Sequence, residues 1–252
     1  MFTNSIETRE LTKKFGSFTA VNRISFEVKQ SEVFGFLGAN GAGKTTAMRM
    51  LTGLLLPSSG QARVAGFDVY TQPEQIKRSI GYMSQKFSLY QDLTPTENIQ
   101  FFGGIYGLSY KEIRRQSKEL IGKLGMEKIA KKRVGDLPLG WKQRLAFSLA
   151  LLHKPKIVFL DEPTSGVDPL TRRAFWEYIH QEASEGTTIF ITTHYMDEAE
   201  YCHRLSIMVA GRIEALGKPS ELRKEFQTEN MDQLFLKLSQ KDLVRQNAAR
   251  TN

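Results

Sequence analysis

A glycine-rich segment near the start of the chain has the residue types and spacing of a loop that closes around phosphate groups. It reads GANGAGKTT and comprises Gly38, Ala39, Asn40, Gly41, Ala42, Gly43, Lys44, Thr45 and Thr46. Glycines allow backbone N–H groups to approach phosphate oxygens at the positive end of the following helix. In this pattern Lys44 reaches the β and γ phosphates, and Thr45 ligates Mg²⁺. The segment predicts a nucleoside triphosphate site; the alternative is a chance glycine-rich turn.

Two adjacent carboxylates, Asp161 and Glu162, end the apolar run IVFLDE. At the end of a strand in a nucleotide site, one acid holds Mg²⁺ and its water, and a second orients the water that attacks the γ-phosphate. We assign the first role to Asp161 and the second to Glu162. Taken alone, the two acids fit equally well a solvated strand end or the start of the next helix. The glycine-rich loop favours the catalytic interpretation.

The segments around these residues follow one another in the order of an α/β core. Residues 32–37 predict a short buried strand, and residues 44–51 predict the helix after the glycine-rich loop. Two further β-branched runs, 157–160 and 187–193, are separated by a helical segment over 170–183. Strands joined by helical crossovers of this kind lie parallel in one sheet.

The stretch between Gln85 and Pro155 has a different pattern, with two helix starts that carry capping boxes. The boxes pair Thr94 with Glu97 and Ser109 with Glu112, and the second helix stops at Gly125. We therefore expect a helical subdomain over approximately 86–156, inserted into the α/β core.

A last helix is predicted after Pro219, because apolar residues recur there at one-face helical spacing. These residues are Met231, Leu234, Phe235 and Leu238, and a polar, basic tail follows to Asn252. We divide the chain into residues 1–228 and a C-terminal helix and tail over 229–252.

The composition excludes few classes of binding partner, but the cysteine content indicates the redox state of the cellular compartment. The formal net charge of +8 suits nucleotides, anionic lipid or nucleic acid alike. Cys202 is the only cysteine, so no intramolecular disulfide forms, and a buried inert thiol in a reducing compartment is expected. The N-terminus has no secretory signal pattern. Since the longest apolar runs fall short of the ~20 residues of a membrane-spanning helix, any membrane role depends on a partner.

The order of motifs resembles the ATP-binding-cassette family from Ile6 to Leu222. The matching pieces are GANGAGKTT, YMSQ ending at Gln85, KQRL from Lys142, FLDEPTSGVDP from Phe159 and THYMDEAE from Thr193. The resemblance implies an α/β fold of the P-loop NTPase type, with a predominantly parallel sheet, N-terminal antiparallel β elements and an inserted α-helical subdomain. It also implies ATP and Mg²⁺ as cofactors.

The resemblance assigns roles residue by residue. Gln85 is similar to the glutamine that links the two subdomains and senses Mg²⁺ and the attacking water, and His194 to the histidine that contacts the γ-phosphate. Ser165, Gly166 and Asp168 are similar to the loop that crosses a dimer interface. Phe15 stands where an aromatic ring stacks on adenine; it could instead be a core residue. Asp168 before Pro169 is also a strong helix N-cap.

One segment departs from the family pattern. Where members usually carry Leu-Ser-Gly-Gly-Gln, this chain has Leu137, Pro138, Leu139, Gly140 and Trp141. The usual serine hydroxyl and first glycine N–H bind the γ-phosphate of the opposite subunit's ATP, whereas Pro138 has neither a hydroxyl nor an N–H. We expect Pro138 in the first turn of an intact helix with few phosphate contacts, among them Gly140. Such variants resemble some members of the bacterial type-2 exporter class.

These observations predict an ATPase that pairs head-to-tail with a second cassette and drives integral membrane permease subunits from the cytoplasmic face of the cell membrane. Lys44, Gln85, Glu162 and His194 are the expected catalytic residues, and Thr45, Gln85 and Asp161 the expected Mg²⁺ site. Two alternatives stay open at this level. One is a soluble cassette ATPase acting on nucleic acid or ribosomes, although the chain has no long coiled-coil insertion and nucleic acid is not expected as a partner. The other is a regulatory cassette with low turnover.

Overall fold

The strands form two sheets in the computed structural model, which describes the backbone of residues 4–250 and the side chains of residues 4–242. The strands are β1 (Asn4–Phe15), β2 (Phe18–Lys29), β3 (Val33–Leu37), β4 (Ser59–Val64), β5 (Phe67–Asp68), β6 (Ile80–Met83), β7 (Ile157–Asp161), β8 (Thr188–Thr193), β9 (Arg204–Val209) and β10 (Arg212–Gly217). The helices are α1 (Lys44–Leu51), α2 (Pro73–Ser79), α3 (Pro95–Ile105), α4 (Tyr110–Leu124), α5 (Leu139–Ala150), α6 (Pro169–Ser184), α7 (Pro219–Glu225) and α8 (Met231–Arg250). Short 3₁₀ turns occupy Val134–Asp136 and Met196–Tyr201.

The larger sheet has the strand order β10-β9-β3-β8-β7-β6. Its neighbouring strands run parallel except for β10, which pairs antiparallel with β9. Every residue of β3, β7 and β8 is buried, as expected for central strands covered on both faces. The predicted parallel core is confirmed, and the predicted bounds of these strands differ from the observed ones by one residue.

The smaller sheet is antiparallel, with the order β2-β1-β4-β5, which confirms the expected N-terminal antiparallel elements. Along β2, buried and exposed residues alternate, because one face packs against the larger sheet and the other faces solvent. Phe26 of β2 stacks on Phe34 of β3 with ring centroids 5.5 Å apart and lies 6.1 Å from the Phe190 ring of β8. These aromatic contacts hold the two sheets together.

Helices α6 and α8 cover the other face of the larger sheet. Phe175, Trp176 and Ile179 of α6 share a buried cluster with the sheet, and α8 adds three residues of its predicted apolar face, Met231, Leu234 and Leu238. The tail expected after this helix is instead part of it, since α8 continues to Arg250. Residues 251 and 252 lie outside the described residues.

Helices α3, α4 and α5 form a separate cluster around Ile99, Ile121, Leu145 and Leu149. Both predicted capping boxes are present: the side chain of Thr94 accepts from Glu97 N, and that of Ser109 accepts from Glu112 N, with the glutamates bonding back. Helix α4 ends at Gly125, whose φ of 66° is left-handed. These helices fall within the stretch predicted to be a helical subdomain.

Cys202 is buried, and burial raises the pKa of its thiol, so the expectation of an inert thiol is confirmed. Across the part of the chain that the structure describes, no helix has the length and apolar character needed to cross a membrane.

Candidate functional site

The glycine-rich loop lies between the buried strand β3 and helix α1, as predicted. Two of its glycines have backbone neighbours that exclude a side chain. A Cβ at Gly38 would collide with the carbonyl oxygen of Met208, and one at Gly43, whose φ is +102°, with that of Ala20. The outer surface of the loop, at Ala39, Asn40, Gly41 and Thr45, is exposed. The glycine-rich sequence therefore forms a tight turn that leads into the N-terminus of α1, the end of a helix that favours anions.

The Lys44 ammonium is enclosed by acceptors. The residue is 4% exposed, and its Nζ donates to the carbonyls of Gly38 at 2.8 Å and Ala39 at 3.1 Å. The Oε1 atom of Glu162 lies 3.4 Å from the same Nζ. Burial lowers the pKa of Lys44, and the nearby carboxylates of Glu162 and Asp161 act in the opposite direction. A desolvated cation of this kind attracts phosphate more strongly than one in water.

The carboxylate of Glu162 is the point where the predicted catalytic residues meet. Its Oε2 accepts from Gln85 Nε2 at 3.1 Å and lies 3.0 Å from His194 Nδ1, while Oε1 faces Lys44. The residue adopts φ = 47°, a left-handed conformation uncommon outside glycine. Its backbone N–H is held by the carbonyl and the hydroxyl of Thr192, each at 3.1 Å. Such local strain, held by surrounding contacts, is common at catalytic sites.

Asp161 and Thr45 form the part of the site that suits Mg²⁺. Asp161 Oδ1 accepts from Thr192 Oγ1 at 2.6 Å and lies 3.5 Å from Thr45 Oγ1. Burial raises the pKa of Asp161, and the Thr192 hydrogen bond opposes that shift. Among the described side chains, no three His, Cys, Asp or Glu residues form a metal cluster. The donor set therefore fits Mg²⁺, which binds through one or two protein oxygens together with nucleotide phosphates, better than a metal held by protein alone.

The segment that departs from the family pattern starts helix α5. Leu139 is the first helical residue, and Pro138 is the N-cap, with extended backbone angles and no side-chain cap. The expectation of Pro138 in the first turn is thus wrong by one position, because its ψ of 151° is outside the helical range. A Cβ at Gly140 would lie 2.7 Å from Thr171 Cγ2, so Gly140 allows α5 to pack closely on α6.

Asp168 caps helix α6, which confirms that expectation. Its Oδ1 accepts from the N–H groups of Leu170 and Thr171 at 3.0 Å each, and its Oδ2 accepts from the Thr171 hydroxyl at 2.5 Å. These bonds, the Thr171 hydroxyl first, lower the pKa of Asp168. Gly166, two residues before this cap, is exposed and has φ = 79°, whereas Val167 between them is buried.

Phe15 ends β1 and is 51% exposed, which rules out the alternative of a core residue. The Nζ atom of Lys13 lies 5.2 Å from its ring centroid. Phe15, Gly140 and Asp168 are outside the hydrogen-bonded cluster that joins Lys44 and Glu162, so the structure does not gather all the predicted nucleotide contacts in one place.

Sequence reasoning missed two residues that organise the cluster. Thr192 bonds both Asp161 and the backbone of Glu162 from the neighbouring strand β8. Gln143, on α5 and 0% exposed, donates to the carbonyl of Pro163 at 2.8 Å and so connects the helical stretch to the loop after Glu162. No sequence pattern marks a threonine within a strand as functional. The contact of Thr192 with Asp161 could be predicted only from the pairing of β7 with β8.

The fold and the site together define a P-loop nucleotide-binding domain of the ATPase type. The family described as ABC transporter matches residues 21–165. The chain is 47% identical over 238 residues to the probable multidrug ABC transporter ATP-binding protein YbhF of Escherichia coli (strain K12), with 92% of this chain and 41% of YbhF covered. It is 36% identical over 218 residues to the linearmycin resistance ATP-binding protein LnrL of Bacillus subtilis (strain 168), with 86% and 70% covered.

A solved structure extends the likeness to three dimensions. CbiO1 of Clostridium perfringens, described as part of the ABC transporter complex cbiONQ, superposes with a TM-score of 0.81 at 29% identity, covering 89% of this chain and 92% of that one. The chain belongs to the ABC transporter family and is an ATP-binding ATPase domain of that family. It spans 41% of the length of YbhF.

Proposed function

We propose that this chain hydrolyses MgATP at the Lys44–Glu162 site and uses the cycle to drive export by separate membrane subunits. The observation that carries the proposal is the convergence of Lys44, Gln85 and His194 on the carboxylate of Glu162, within 3.0–3.4 Å. Backbone N–H groups of the glycine-rich loop and Lys44 would bind the phosphates, and Phe15 would stack on adenine, a contact worth ~1–3 kcal/mol for bases on aromatic rings.

Each catalytic side chain then has a defined task. Glu162 accepts a proton from the attacking water, and Gln85 and His194 orient that carboxylate and the water. Lys44 stabilises negative charge at the γ-phosphate. Thr45, Asp161 and Gln85 would hold Mg²⁺, which supplies charge neutralisation between the β and γ phosphates when bound.

The test of the reaction is the ATP turnover of the purified chain with Mg²⁺ and with the chelator EDTA. We expect phosphate release that requires Mg²⁺. A chain that binds ATP but releases no phosphate in any assembly would contradict the proposed hydrolysis and favour the regulatory alternative, which the Pro138–Leu139 departure supports.

The working unit is proposed to contain a second cassette, paired head-to-tail, identical or different. The exposed loop over 165–168 and the start of α5 are the surfaces expected to face that partner. The helical subdomain over approximately 86–156, within a nucleotide-binding domain of residues 1–228, and the C-terminal helix over 229–252 are proposed divisions of the chain.

The membrane partner is proposed to contact an aromatic surface, formed by the rings of Tyr90 and Phe101 together with Ile105, in the stretch that follows Gln85 in the sequence. Their exposed fractions are 48%, 40% and 62%, and the Tyr90 and Phe101 rings lie 4.4 Å apart. Exposed aromatic residues commonly anchor protein interfaces. The neighbouring Phe87 is only 7% exposed and belongs to the core. This contact would place the chain at the cytoplasmic face of the membrane, and the names of YbhF and LnrL favour export of drugs or antibiotics.

A photo-reactive amino acid at Ile105 tests this surface in the native membrane complex. Leu236 on α8, 59% exposed, is the matched control position. We expect Ile105 to cross-link to an integral membrane subunit that co-purifies with the chain, and Leu236 not to. Equal cross-linking from both positions would contradict the assignment of the aromatic surface.

A further inference from the structure

A buried acid next to the catalytic cluster has no task in the reaction described above. The side chain of Glu198 is 0% exposed, and its Oε1 accepts a hydrogen bond from Thr164 Oγ1 at 2.6 Å. Thr164 is itself 0% exposed and follows Glu162 by two residues. Burial raises the pKa of Glu198, and the Thr164 hydrogen bond acts in the opposite direction. A buried acid is costly to fold unless it is paired, so its partners deserve a functional explanation.

Arg172, in the second turn of α6, contacts the same acid. Its Nε lies 3.6 Å from Glu198 Oε1, and its Nη1 donates to Asp197 at 3.2 Å. Its guanidinium carbon lies 4.3 Å from the ring centroid of Tyr195. The side chain is 18% exposed. The guanidinium is therefore hydrogen-bonded to Asp197, ion-paired with the buried Glu198 and placed over the Tyr195 ring, and these three contacts together restrict its reorientation.

Tyr195 connects this arginine to the catalytic cluster. The rings of Tyr195 and His194 have centroids 4.2 Å apart, and Tyr195 N donates to Thr193 Oγ1 at 3.0 Å. His194 in turn lies 3.0 Å from the carboxylate of Glu162. A continuous set of contacts therefore runs from Arg172 through the Tyr195 ring to the imidazole.

The other end of this set reaches the surface. The backbone N–H of Arg172 donates to the carbonyl of Asp168 at 2.9 Å. Arg172 thus follows by one helical turn the loop over 165–168, which the proposed function places against the second cassette. Thr164 immediately precedes that same loop.

We propose that Arg172 is a positioning residue for His194: it holds the Tyr195 ring against the imidazole, while Glu198 and Thr164 fix Arg172 from the buried side. The inference rests on the proposed function, because it takes His194 as a residue of the hydrolytic site. Its consequence is that docking of the loop over 165–168 on a second cassette and the orientation of His194 are linked through one side chain. Arg172 touches no reacting atom, so its effect belongs to turnover and not to nucleotide affinity.

The first test compares Arg172→Met with Arg173→Met in the full chain. Arg173 is the neighbouring arginine on the same helix, 75% exposed and paired with Glu177 at 3.6 Å. We expect Arg172→Met to lower kcat by about ten- to a hundredfold, the size of a lost contact to a charged group, and to change the Kd of ATP by less than about twofold. Arg173→Met is expected to keep the parental kcat. Equal losses in both variants would overturn the proposal.

The second test asks whether Arg172 acts through His194. If it does, the double variant Arg172→Met with His194→Ala is as slow as His194→Ala alone, to within about twofold. Multiplying losses in the double variant would show that Arg172 acts independently and would overturn the positioning role. A merely structural arginine would not produce this non-additivity.

Arg172→Met leaves the Glu198 carboxylate buried without its cation, so it could destabilise the fold. Further variants separate that effect from the positioning role. Arg172→Met combined with Glu198→Gln removes that charge and is expected to restore the Tm while kcat stays low. Thr164→Ser keeps the hydroxyl and should retain the parental kcat. Thr164→Val removes the hydroxyl and should lower kcat. If the parental chain turns over ATP and both Arg172→Met with Glu198→Gln and Thr164→Val keep the parental kcat, the positioning role alone fails; a parental chain without turnover would overturn the proposed function and this inference together.

Discussion

The nucleotide site carried by β3 and β7 and the edge formed by the start of α5 differ in their polar groups. In the site, the side chains of Lys44 and Glu162 are 4% and 11% exposed and lie within 3.4 Å of each other. At the edge, Leu139 is 39% exposed, nearby Leu170 is 81% exposed, and Pro138 offers no capping group. One region keeps charges buried and paired; the other presents apolar side chains to solvent.

If the chain pairs head-to-tail as proposed above, it would contribute many polar groups to one half of an ATP site and few to the other half. Hydrolysis requires charge stabilisation around the γ-phosphate, which the proposed Lys44–Glu162 site would supply. The α5 edge would supply fewer donors to a nucleotide held by a partner. A partner with a complete edge would therefore form one fast site with this chain and one slow site opposite it.

The largest effect is expected from changing the chemistry of the well-equipped region. Glu162→Gln keeps the shape of the side chain but cannot accept a proton, so kcat should fall by about 10²–10⁴ while ATP still binds. Phosphate release and nucleotide binding are measured on the same preparation. Glu177→Gln, at a side chain 71% exposed on α6, is the matched control and should keep the parental rate. Parental turnover in Glu162→Gln would show that another group is the base.

A smaller effect, an increase in the ATPase rate, is expected from restoring hydrogen-bonding groups at the α5 edge. Pro138→Ser with Leu139→Gly restores a hydroxyl and a glycine N–H, and one charged hydrogen bond is worth ~1.5–3 kcal/mol, or roughly ten- to a hundredfold in rate. We expect the chain alone to turn over slowly and the double variant to be faster by about this factor. The measurement is the ATPase rate against protein concentration, because in the proposed head-to-tail pairing each site would be completed by a second chain.

Leu139→Gly alone is the control for the edge, since it changes helix propensity without adding the hydroxyl. Its ATPase rate should increase less than that of the double variant. The unmodified chain could instead hydrolyse ATP fast, at a rate that depends on protein concentration and is the same in the double variant. That result would contradict the proposed functional difference between the nucleotide site and the start of α5.

Much of the fold and of the catalytic cluster was predictable because the signals are local. The glycine-rich loop, the acids at the end of β7 and the two capping boxes each depend on residues within about ten positions of one another, where turn and helix rules apply. Lys44, Gln85, Glu162 and His194 could be predicted together only because the family order of motifs relates distant segments. The structure brings these four side chains into contact.

The features of the fold and of the site that could not be predicted depend on contacts between segments far apart in the chain. Thr192 reaches Asp161 across 31 positions and Thr164 reaches Glu198 across 34, and neither threonine belongs to a pattern with meaning of its own. The position of Pro138 was missed by one residue because proline is compatible with both the N-cap and the first turn, and only ψ decides between them. Phe15 could be placed on the surface only once the β1–β2 pairing was known.

The smallest effect concerns Asp168, the N-cap of α6. Its carboxylate accepts from two N–H groups of α6 and from the Thr171 hydroxyl, so Asp168→Ala should lower the Tm by about 2–4 °C, as expected for a lost helix cap. Asp168→Asn retains a capping oxygen and should restore the Tm at neutral pH. Because the Thr171 hydroxyl and the helix N–H groups hold the pKa of Asp168 below its usual range, its stabilising effect is present above the pKa of the unfolded chain and is lost as pH falls through the lowered pKa. The asparagine variant should not show that loss. If the carboxylate also contacts the second cassette, Asp168→Asn will recover the Tm but not the rise of ATPase rate with protein concentration, which is the result we expect. Full recovery of both quantities would show that Asp168 is a helix cap and nothing more, and the contact between the two halves of the ATP site would then have to come from other residues of the loop over 165–168.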